Sequence, residues 1–200
     1  MARAHSAELV NDFLGSTQVF ASAVSDVIEK KLLREVAGNQ LTFSQFKLLK
    51  MVALTDAQTI GDVAVFLGVS NAAASKAVDK LVRRKLLLRT EGKADRRAIQ
   101  LSLTEPSRRL LAAYGAAKNR KLARIFGEFA PKELRRAAEV LYRLSAGIVN
   151  HSAKPEEICL QCGIYFRDKC LVRQLVRRNC FYHQHMNRKN TRSRPRGTQV

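Results

Sequence analysis

Apolar residues recur at three- and four-residue steps along most of the chain, which is the spacing of amphipathic helices. The pattern is continuous from His5 to Ala37, and the "GNQ" that follows indicates a break. Two shorter helices are predicted near Thr42 and near Thr59, and Gly68 ends the second of them. Ser70 is a good N-cap for a further helix with the sequence "NAAASKAVDKLVRRK".

The pattern then changes from helical to strand-like. The runs "LLLRT" and "AIQLSLT" are short and apolar, and the polar stretch "EGKADRR" separates them, so we expect a β-hairpin with a long basic tip. Thr104 is the predicted N-cap of the next helix, with Pro106 in its first turn, and Pro131 begins the last long helix. Pro155 marks a boundary beyond it.

Helix, turn, helix and hairpin in this order are the arrangement of a winged helix-turn-helix. Six apolar residues are expected to close its small core, namely Ala64, Leu67, Val69, Ala74, Val78 and Leu81. The outward face of the second helix carries Asn71, Ala72, Ser75, Lys76, Asp79 and Lys80. Such a face suits the major groove of DNA, although in an isolated amphipathic helix the same residues would simply be solvated.

The charge favours the DNA interpretation. The 200 residues hold 36 Lys+Arg against 17 Asp+Glu, a net charge of +19, which favours a polyanionic partner. No apolar run approaches the length of a membrane-spanning helix, and the N-terminus does not resemble a signal peptide, so a cytoplasmic protein is expected. We find no glycine-rich phosphate loop and no catalytic side-chain set, which argues against an enzyme.

Residues from about Leu41 to Thr104 resemble the MarR family of bacterial transcriptional regulators. The matching stretches are "LTFSQFKLLKMVAL", "TIGDVAVFLGVSNAAASKAVDKLVRRKLL" and "DRRAIQLSLTE". The last fits the family's wing signature, in which Asp and Arg precede an alternating apolar strand that ends in Leu-Thr. One departure is Lys85, because the family usually has glycine at this turn. A lysine in the left-handed region costs about 1–2 kcal/mol, so we expect a differently built turn.

The resemblance implies a set of DNA contacts. From the recognition helix and the wing these are Ser70, Asn71, Ala72, Ser75, Lys76, Lys80, Arg89, Lys93, Arg96 and Arg97. An arginine at the wing tip, Arg96 or Arg97, would enter the minor groove, and Lys93 and Arg89 would contact phosphates. Asp95 and Arg97 would hold the wing, and Asp95 would orient a neighbouring arginine rather than touch DNA.

The resemblance also implies a homodimer on a near-palindromic DNA duplex. In the family the first helix and the last two interdigitate with a second copy, and effectors often bind between this region and the winged domain. The corresponding segments have one apolar face here, which includes Leu110, Leu111, Tyr114, Leu122, Ile125, Phe126, Phe129, Val140, Leu141 and Leu144. An intramolecular bundle is the alternative. The expected fold is mainly α, with dimerisation helices at 1–40 and 105–150 around a winged helix-turn-helix at 41–104.

All four cysteines follow this region, at Cys159, Cys162, Cys170 and Cys180. We expect a small cysteine module at 151–187 and a disordered basic tail at 188–200. Four thiolates can hold a [4Fe–4S] cluster or a tetrahedral zinc ion. The single later cysteines favour the iron–sulfur cluster; zinc, a thiol switch and His183 or His185 as a ligand remain alternatives. Aromatic residues would provide an apolar jacket for the module, namely Tyr165, Phe166, Phe181 and Tyr182.

Together these features predict a repressor-like, DNA-binding dimer whose affinity is set at the cysteine centre by oxygen, nitric oxide, redox poise or iron supply. Two alternatives remain open. One is a regulator that responds to a small molecule, with a structural zinc site or passive cysteines. The other is a protein that binds nucleic acid without sequence preference, which the basic tail would suit.

Overall fold

The computed structural model describes residues 6–55, 59–91, 99–150 and 165. It begins with one long helix in three consecutive segments: α1 (Ala7–Ala23), a π-helical segment (Val24–Lys31) and α2 (Leu32–Ala37). Ser6 caps its start by accepting a hydrogen bond from the backbone N–H of Leu9 at 3.2 Å. The predicted first helix is therefore confirmed, but its periodicity gave no sign of the π-helical segment.

The winged module follows a short 3₁₀ turn at Gly38–Gln40. It comprises α3 (Phe43–Leu54), α4 (Ile60–Leu67), α5 (Asn71–Arg83), β1 (Leu87–Glu91) and β2 (Ile99–Leu103). Thr42 and Thr59 begin α3 and α4 in capping boxes, in which each threonine side chain accepts from the N3 backbone and the N3 side chain accepts from the threonine backbone. The predicted starts of both helices are confirmed.

Two long helices complete the described part of the chain, α6 (Glu105–Phe126) and α7 (Pro131–Asn150). Thr104 is the N-cap of α6, and Pro106 lies in its first turn, where a missing N–H costs no helical hydrogen bond. Both features were predicted. No helix among the described residues is long and apolar enough to cross a membrane.

The core lies where the winged module meets α2 and α6. Its central side chains, which are essentially inaccessible to solvent, are Leu33, Phe46, Leu48, Leu49, Met51, Val63, Ala74, Val78, Leu81 and Leu87. Helix α3 contributes the most, because it is covered on nearly every side. The mainly helical winged helix-turn-helix predicted from the sequence is thus confirmed, whereas the cysteine module falls outside the described residues.

Two predictions about individual side chains are wrong. Val69 was expected in the core of the winged module but is 42% exposed. It lies between the left-handed Gly68 that ends α4 and the Ser70 N-cap of α5, so the backbone there is set by the two caps and the side chain points outward. Tyr114 was assigned to the dimer face. It is only 2% exposed, its ring centroid is 4.3 Å from that of Phe46, and its hydroxyl donates to the carbonyl of Ile28 at 3.2 Å.

The long helices leave many apolar side chains at the surface. No residue of α1 is buried. Exposed apolar side chains of α1, α6, α7 and the α6–α7 connection include Leu9, Val10, Phe13, Leu14, Val19, Phe20, Ile125, Phe129, Leu134, Val140, Leu144 and Ile148. A surface of this kind indicates a further contact that covers it.

Candidate nucleic-acid interface

The turn between α4 and α5 fixes the direction of α5. Gly68 adopts the left-handed conformation, with φ of 66°, and the backbone N–H of Val69 donates to the carbonyl of Ala64 at 3.0 Å. Two residues later the Ser70 side chain accepts from the backbone N–H of Ala73 at 3.3 Å. Because only one residue separates the C-cap of α4 from the N-cap of α5, the angle between the two helices has little freedom to change.

Helix α5 divides cleanly into a buried and an exposed side. Ala74, Val78 and Leu81 are fully buried in the core of the winged module. The residues predicted to contact DNA lie on the other side: Asn71, Ala72, Lys76 and Lys80 are exposed, and Ser75 is partly exposed. The structure therefore brings these side chains together on one polar, positively charged surface that is open to a groove-sized partner.

An ion pair that the sequence did not reveal joins α5 to the wing. Nη1 of Arg89 in β1 lies 3.0 Å from Oδ1 of Asp79, and both side chains are partly exposed. A pair of this kind contributes little to stability, about 0–1 kcal/mol. Its effect is positional, because it holds the first wing strand against α5. Arg89 is thus bound to α5 in this structure, and its contact with a phosphate stays a prediction.

The wing itself is a two-stranded antiparallel hairpin in which Leu87 pairs with Leu103 and Glu91 with Ile99. Leu87 and Leu101 are buried beneath it, whereas Leu88 faces solvent. At its base, the backbone N–H of Thr104 donates to the carbonyl of Leu86 at 3.4 Å, which links the hairpin to α6. Four predicted site residues of the wing tip, Lys93, Asp95, Arg96 and Arg97, lie outside the described residues.

Lys85, at the turn from α5 to the wing, has a positive φ of 56°. The backbone therefore makes the left-handed turn with a lysine, and the expectation of a differently built turn is wrong. Two backbone hydrogen bonds explain why the turn persists. Lys85 N–H donates to the carbonyl of Val82 and Leu86 N–H to that of Leu81, both at 2.9 Å. Together with the burial of Leu81 and Leu87 on either side, these bonds offset the strain of the turn.

A cavity of about 550 Å³ lies between the end of the first helix, the C-terminal end of α5 and α6. It is lined by Val36, Ala37, Gln40, Leu41, Arg84, Leu86 and Leu110. The Arg84 guanidinium crosses its edge and donates a hydrogen bond to the backbone carbonyl of Gln40. Arg84 thus ties the C-terminus of α5 directly to the 3₁₀ turn that follows the first helix.

The described residues form no cluster of three or more His, Cys, Asp or Glu side chains that could hold a metal ion. The four predicted ligands, Cys159, Cys162, Cys170 and Cys180, and the alternative ligands His183 and His185 lie outside those residues. Tyr165, which was assigned to an apolar jacket around the cysteines, is described. It lies against the body of the protein, beside Lys118 of α6.

Comparison with known proteins gives the same assignment for the winged module. Residues 39–98 match the model of the MarR family. A curated relative, the "Uncharacterized HTH-type transcriptional regulator YpoP" of Bacillus subtilis (strain 168), is 23% identical over 112 residues, which are 56% of this chain and 79% of that protein.

Solved structures show the same fold over a longer stretch. RV1404 from Mycobacterium tuberculosis is similar with a TM-score of 0.60 at 24% identity, over 72% of this chain and 96% of that one. CouR from Rhodococcus jostii RHA1, solved bound to p-coumaroyl-CoA, is similar with a TM-score of 0.53 at 21% identity, over 70% and 95% of the two chains. The winged helix-turn-helix of this protein is therefore similar to the MarR family in sequence over residues 39–98, and its fold is that of these solved structures.

Proposed function

We propose that this protein is a dimeric transcription regulator that binds a near-palindromic DNA operator through α5 and the wing. The observation that carries the proposal is the division of α5, whose apolar side is fully buried while Asn71, Lys76 and Lys80 are exposed beside a two-stranded wing. Asn71, at the N-terminal end of the helix, has a side chain suited to the edge of adenine, and the lysines suit phosphate oxygens. Regulators of the matched family bind DNA as dimers and are not enzymes.

The dimer is supported by the exposed apolar side chains of α1 and α7. Phe20 is 50% exposed and shares one face of α1 with Leu9 and Phe13. Ile148 is 66% exposed and follows Val140 and Leu144 at four-residue steps along α7. A second copy of the chain would cover both rows and place two recognition helices on one face of the duplex, about 34 Å apart. We propose repression as the result of such binding, because a dimer bound over a promoter excludes the transcription machinery.

The proposal is tested by selecting duplexes from a random pool and measuring their affinity by fluorescence anisotropy at several salt concentrations. The selected operator should bind about 10³-fold more tightly than random DNA. Asn71→Ala should weaken binding by roughly tenfold and relax the preference at one base pair. Lys76→Ala should weaken binding to every sequence and lower the salt slope by about 1. The control, Lys132→Ala, removes an exposed lysine from α7 and should leave both quantities unchanged.

Equal affinity and equal salt slope for selected and random duplexes would contradict the proposal. That result would instead identify a protein that binds nucleic acid without sequence preference.

A response to a small molecule is a second candidate function, favoured by the cavity beside Arg84. The lining is mainly aliphatic, and one wall is the residue pair that connects α5 to the first helix, so an occupant would act directly on the recognition helix. CouR binds p-coumaroyl-CoA, which makes aromatic acyl-CoA compounds the first class to test by thermal shift. Leu110→Trp, which narrows the cavity, should reduce the shift.

Control of DNA binding at the four cysteines stays a prediction. We propose a [4Fe–4S] cluster, with zinc as the alternative, on the grounds of the spacing of Cys159, Cys162, Cys170 and Cys180. Elemental analysis and a visible spectrum of protein purified without oxygen will decide between the two metals. Colourless, iron-free protein with stoichiometric zinc would exclude the cluster.

A further inference from the structure

Helix α6 closes a polar cleft with the π-helical segment and α3, which we call the three-helix cleft. It is lined by Glu29 of the π-helical segment, Lys47 and Lys50 of α3, and Lys118 of α6, all partly buried. Burial raises the pKa of Glu29, although Lys47 and Lys30 oppose the shift. Burial and the neighbouring Lys118 lower the pKa of Lys50. The cleft therefore brings charged groups of three helices together and partly shields them from water.

The π-helical segment shapes one wall of this cleft. Two side chains of α6 donate to its backbone: the Tyr114 hydroxyl to the carbonyl of Ile28 and Nζ of Lys121 to the carbonyl of Val27, each at 3.2 Å. π-Helical segments are rare and recur at functional sites. These two hydrogen bonds hold the π-helical segment against α6 next to Glu29.

Tyr165 lies in this cleft although it is fifteen residues beyond the end of α7 at Asn150. Nζ of Lys118 is 5.3 Å from the centroid of its ring, and the ring packs against the main hydrophobic core. The hydroxyl oxygen is buried and makes no hydrogen bond of ordinary geometry with any described residue, although Glu29 lies beside it. Burial, followed by the effect of Glu29, raises the pKa of Tyr165 to about 12.

The surroundings of the Tyr165 ring are more favourable to an aromatic group than to water. Lys118 and Lys50 repel each other in the cleft, and an ammonium group above the face of a ring is stabilised by about 0.5–1 kcal/mol or more when water is excluded. The fourteen residues between Asn150 and Tyr165 can span about 50 Å when extended, so the same chain can supply the ring.

We propose that the three-helix cleft is a binding site for the chain's own C-terminal segment, with the phenol ring of Tyr165 as its anchor. The segment is thereby held to α3 of the winged module and to the first helix at once. Tyr165 stands between Cys162 and Cys170 in the sequence, so the proposed anchor belongs to the same segment as the thiols.

The test removes the ring and returns it as a free molecule. Tyr165→Ala in the full chain leaves a ring-sized space, and p-cresol, which is the tyrosine side chain alone, should refill it. We expect saturating p-cresol to raise the midpoint of thermal unfolding of this variant by roughly 2–5 °C. Wild-type protein should shift by much less, because its site is already filled. Tyr182→Ala, the other tyrosine of the C-terminal segment, is the matched control and should behave as the wild type.

Equal shifts in the three proteins, or no shift in Tyr165→Ala, would overturn the proposal. If Tyr165→Ala fails to fold, fluorine NMR of the full chain labelled with 3-fluorotyrosine replaces this test. The signal that disappears in Tyr165→Phe should be shielded from a soluble gadolinium chelate, and Lys118→Ala should increase its accessibility by about two- to fivefold. Arg120→Ala, an exposed cation on the same helix, should leave it unchanged. A signal as accessible as free 3-fluorotyrosine would disprove the site.

The effect on DNA rests on the proposed function and has its own readout. Tyr165→Ala should change operator affinity by at least about threefold, and p-cresol should reverse the change, because the cleft joins α3 to the dimerisation helix. Affinity that neither the variant nor p-cresol alters would show that the anchored segment does not act on the DNA-binding surface. Loss of operator preference in every variant, with the thermal or NMR result intact, would refute the proposed function and leave the site standing.

Discussion

Helices α5 and α1 use their apolar residues in opposite ways. All three buried residues of α5, Ala74, Val78 and Leu81, find partners within the winged module, and its exposed side carries polar and charged residues with only small alanines among them. Helix α1 has no buried residue, and its Phe20 is 50% exposed. The winged module is therefore complete within one chain, whereas the long helices require a partner surface. The proposed function divides in the same way, with DNA contact at α5 and assembly through α1 and α7.

The largest expected effect comes from opening the core beneath α5. Leu81→Ala should lower the free energy of unfolding by about 2–5 kcal/mol, because Leu81 is fully buried and the surrounding side chains fill the space it leaves only in part. Leu88→Ala is the matched control in the same module. Leu88 is 52% exposed, so the same substitution should cost less than about 1 kcal/mol. Urea unfolding measures the loss of stability in both variants. Equal losses would contradict the difference in burial between Leu81 and Leu88.

The complementary experiment places a charge on α1. Phe20→Glu should raise the dimer dissociation constant by roughly 100-fold, because a buried interface cannot solvate a carboxylate. Analytical ultracentrifugation measures it, and circular dichroism should show an unchanged helix content. Gln18→Glu adds the same charge to an exposed position of α1 and is the control.

Two outcomes would break the comparison between α5 and α1. A dimer that survives Phe20→Glu would show that another surface assembles the protein. A variant that unfolds would show that Phe20 stabilises the single chain instead.

A smaller effect is expected at the turn that leads from α5 to the wing. Lys85→Gly should stabilise the fold by about 1 kcal/mol, because glycine adopts a φ of 56° without the clash that a Cβ atom causes. Lys85→Ala removes the same charge but keeps the Cβ atom, so it should not be stabilising. If both variants are equally stable, the turn carries no strain at this residue.

Local signals in the sequence predicted the parts of the fold that local interactions decide. The helix starts near Thr42 and Thr59, the N-caps Ser70 and Thr104 and the helix end at Gly68 were all predicted correctly, because each involves residues at most five positions apart. Val69 was misassigned because apolar spacing does not show that two caps meet there. These local features were sufficient to predict the position and the polar face of α5.

The three-helix cleft had no comparable signal. Glu29, Lys50 and Lys118 come from distant parts of the chain, and each is an ordinary charged residue in its own helix. Tyr114 looked like one more residue of an apolar dimer face, and only its contacts with Phe46 and Ile28 assign it to the core. The pair of Arg89 with Asp79 was equally unreadable, since ten residues and a turn separate them. Contacts between charged residues that are distant in the sequence could therefore be identified only in the structure.

The smallest predicted effect is a pH dependence of stability, which tests whether Glu29 lies in the three-helix cleft. Burial raises the pKa of Glu29, so the folded chain keeps a proton at a pH where the unfolded chain has lost it. Stability from this group therefore falls as pH rises above 4.5, the ordinary carboxyl value, and the loss is complete once pH exceeds the raised pKa. Glu29→Gln removes this pH dependence. The stability of the variant relative to the wild type should therefore increase as pH rises from 4.5 to the raised pKa and then level off.

Urea unfolding between pH 4 and pH 8 measures this difference in stability. The control is Asp26→Asn, which removes an exposed carboxylate of the same π-helical segment. A difference that does not vary with pH would place Glu29 in solvent, and the cleft would then lack the carboxylate that balances its lysines.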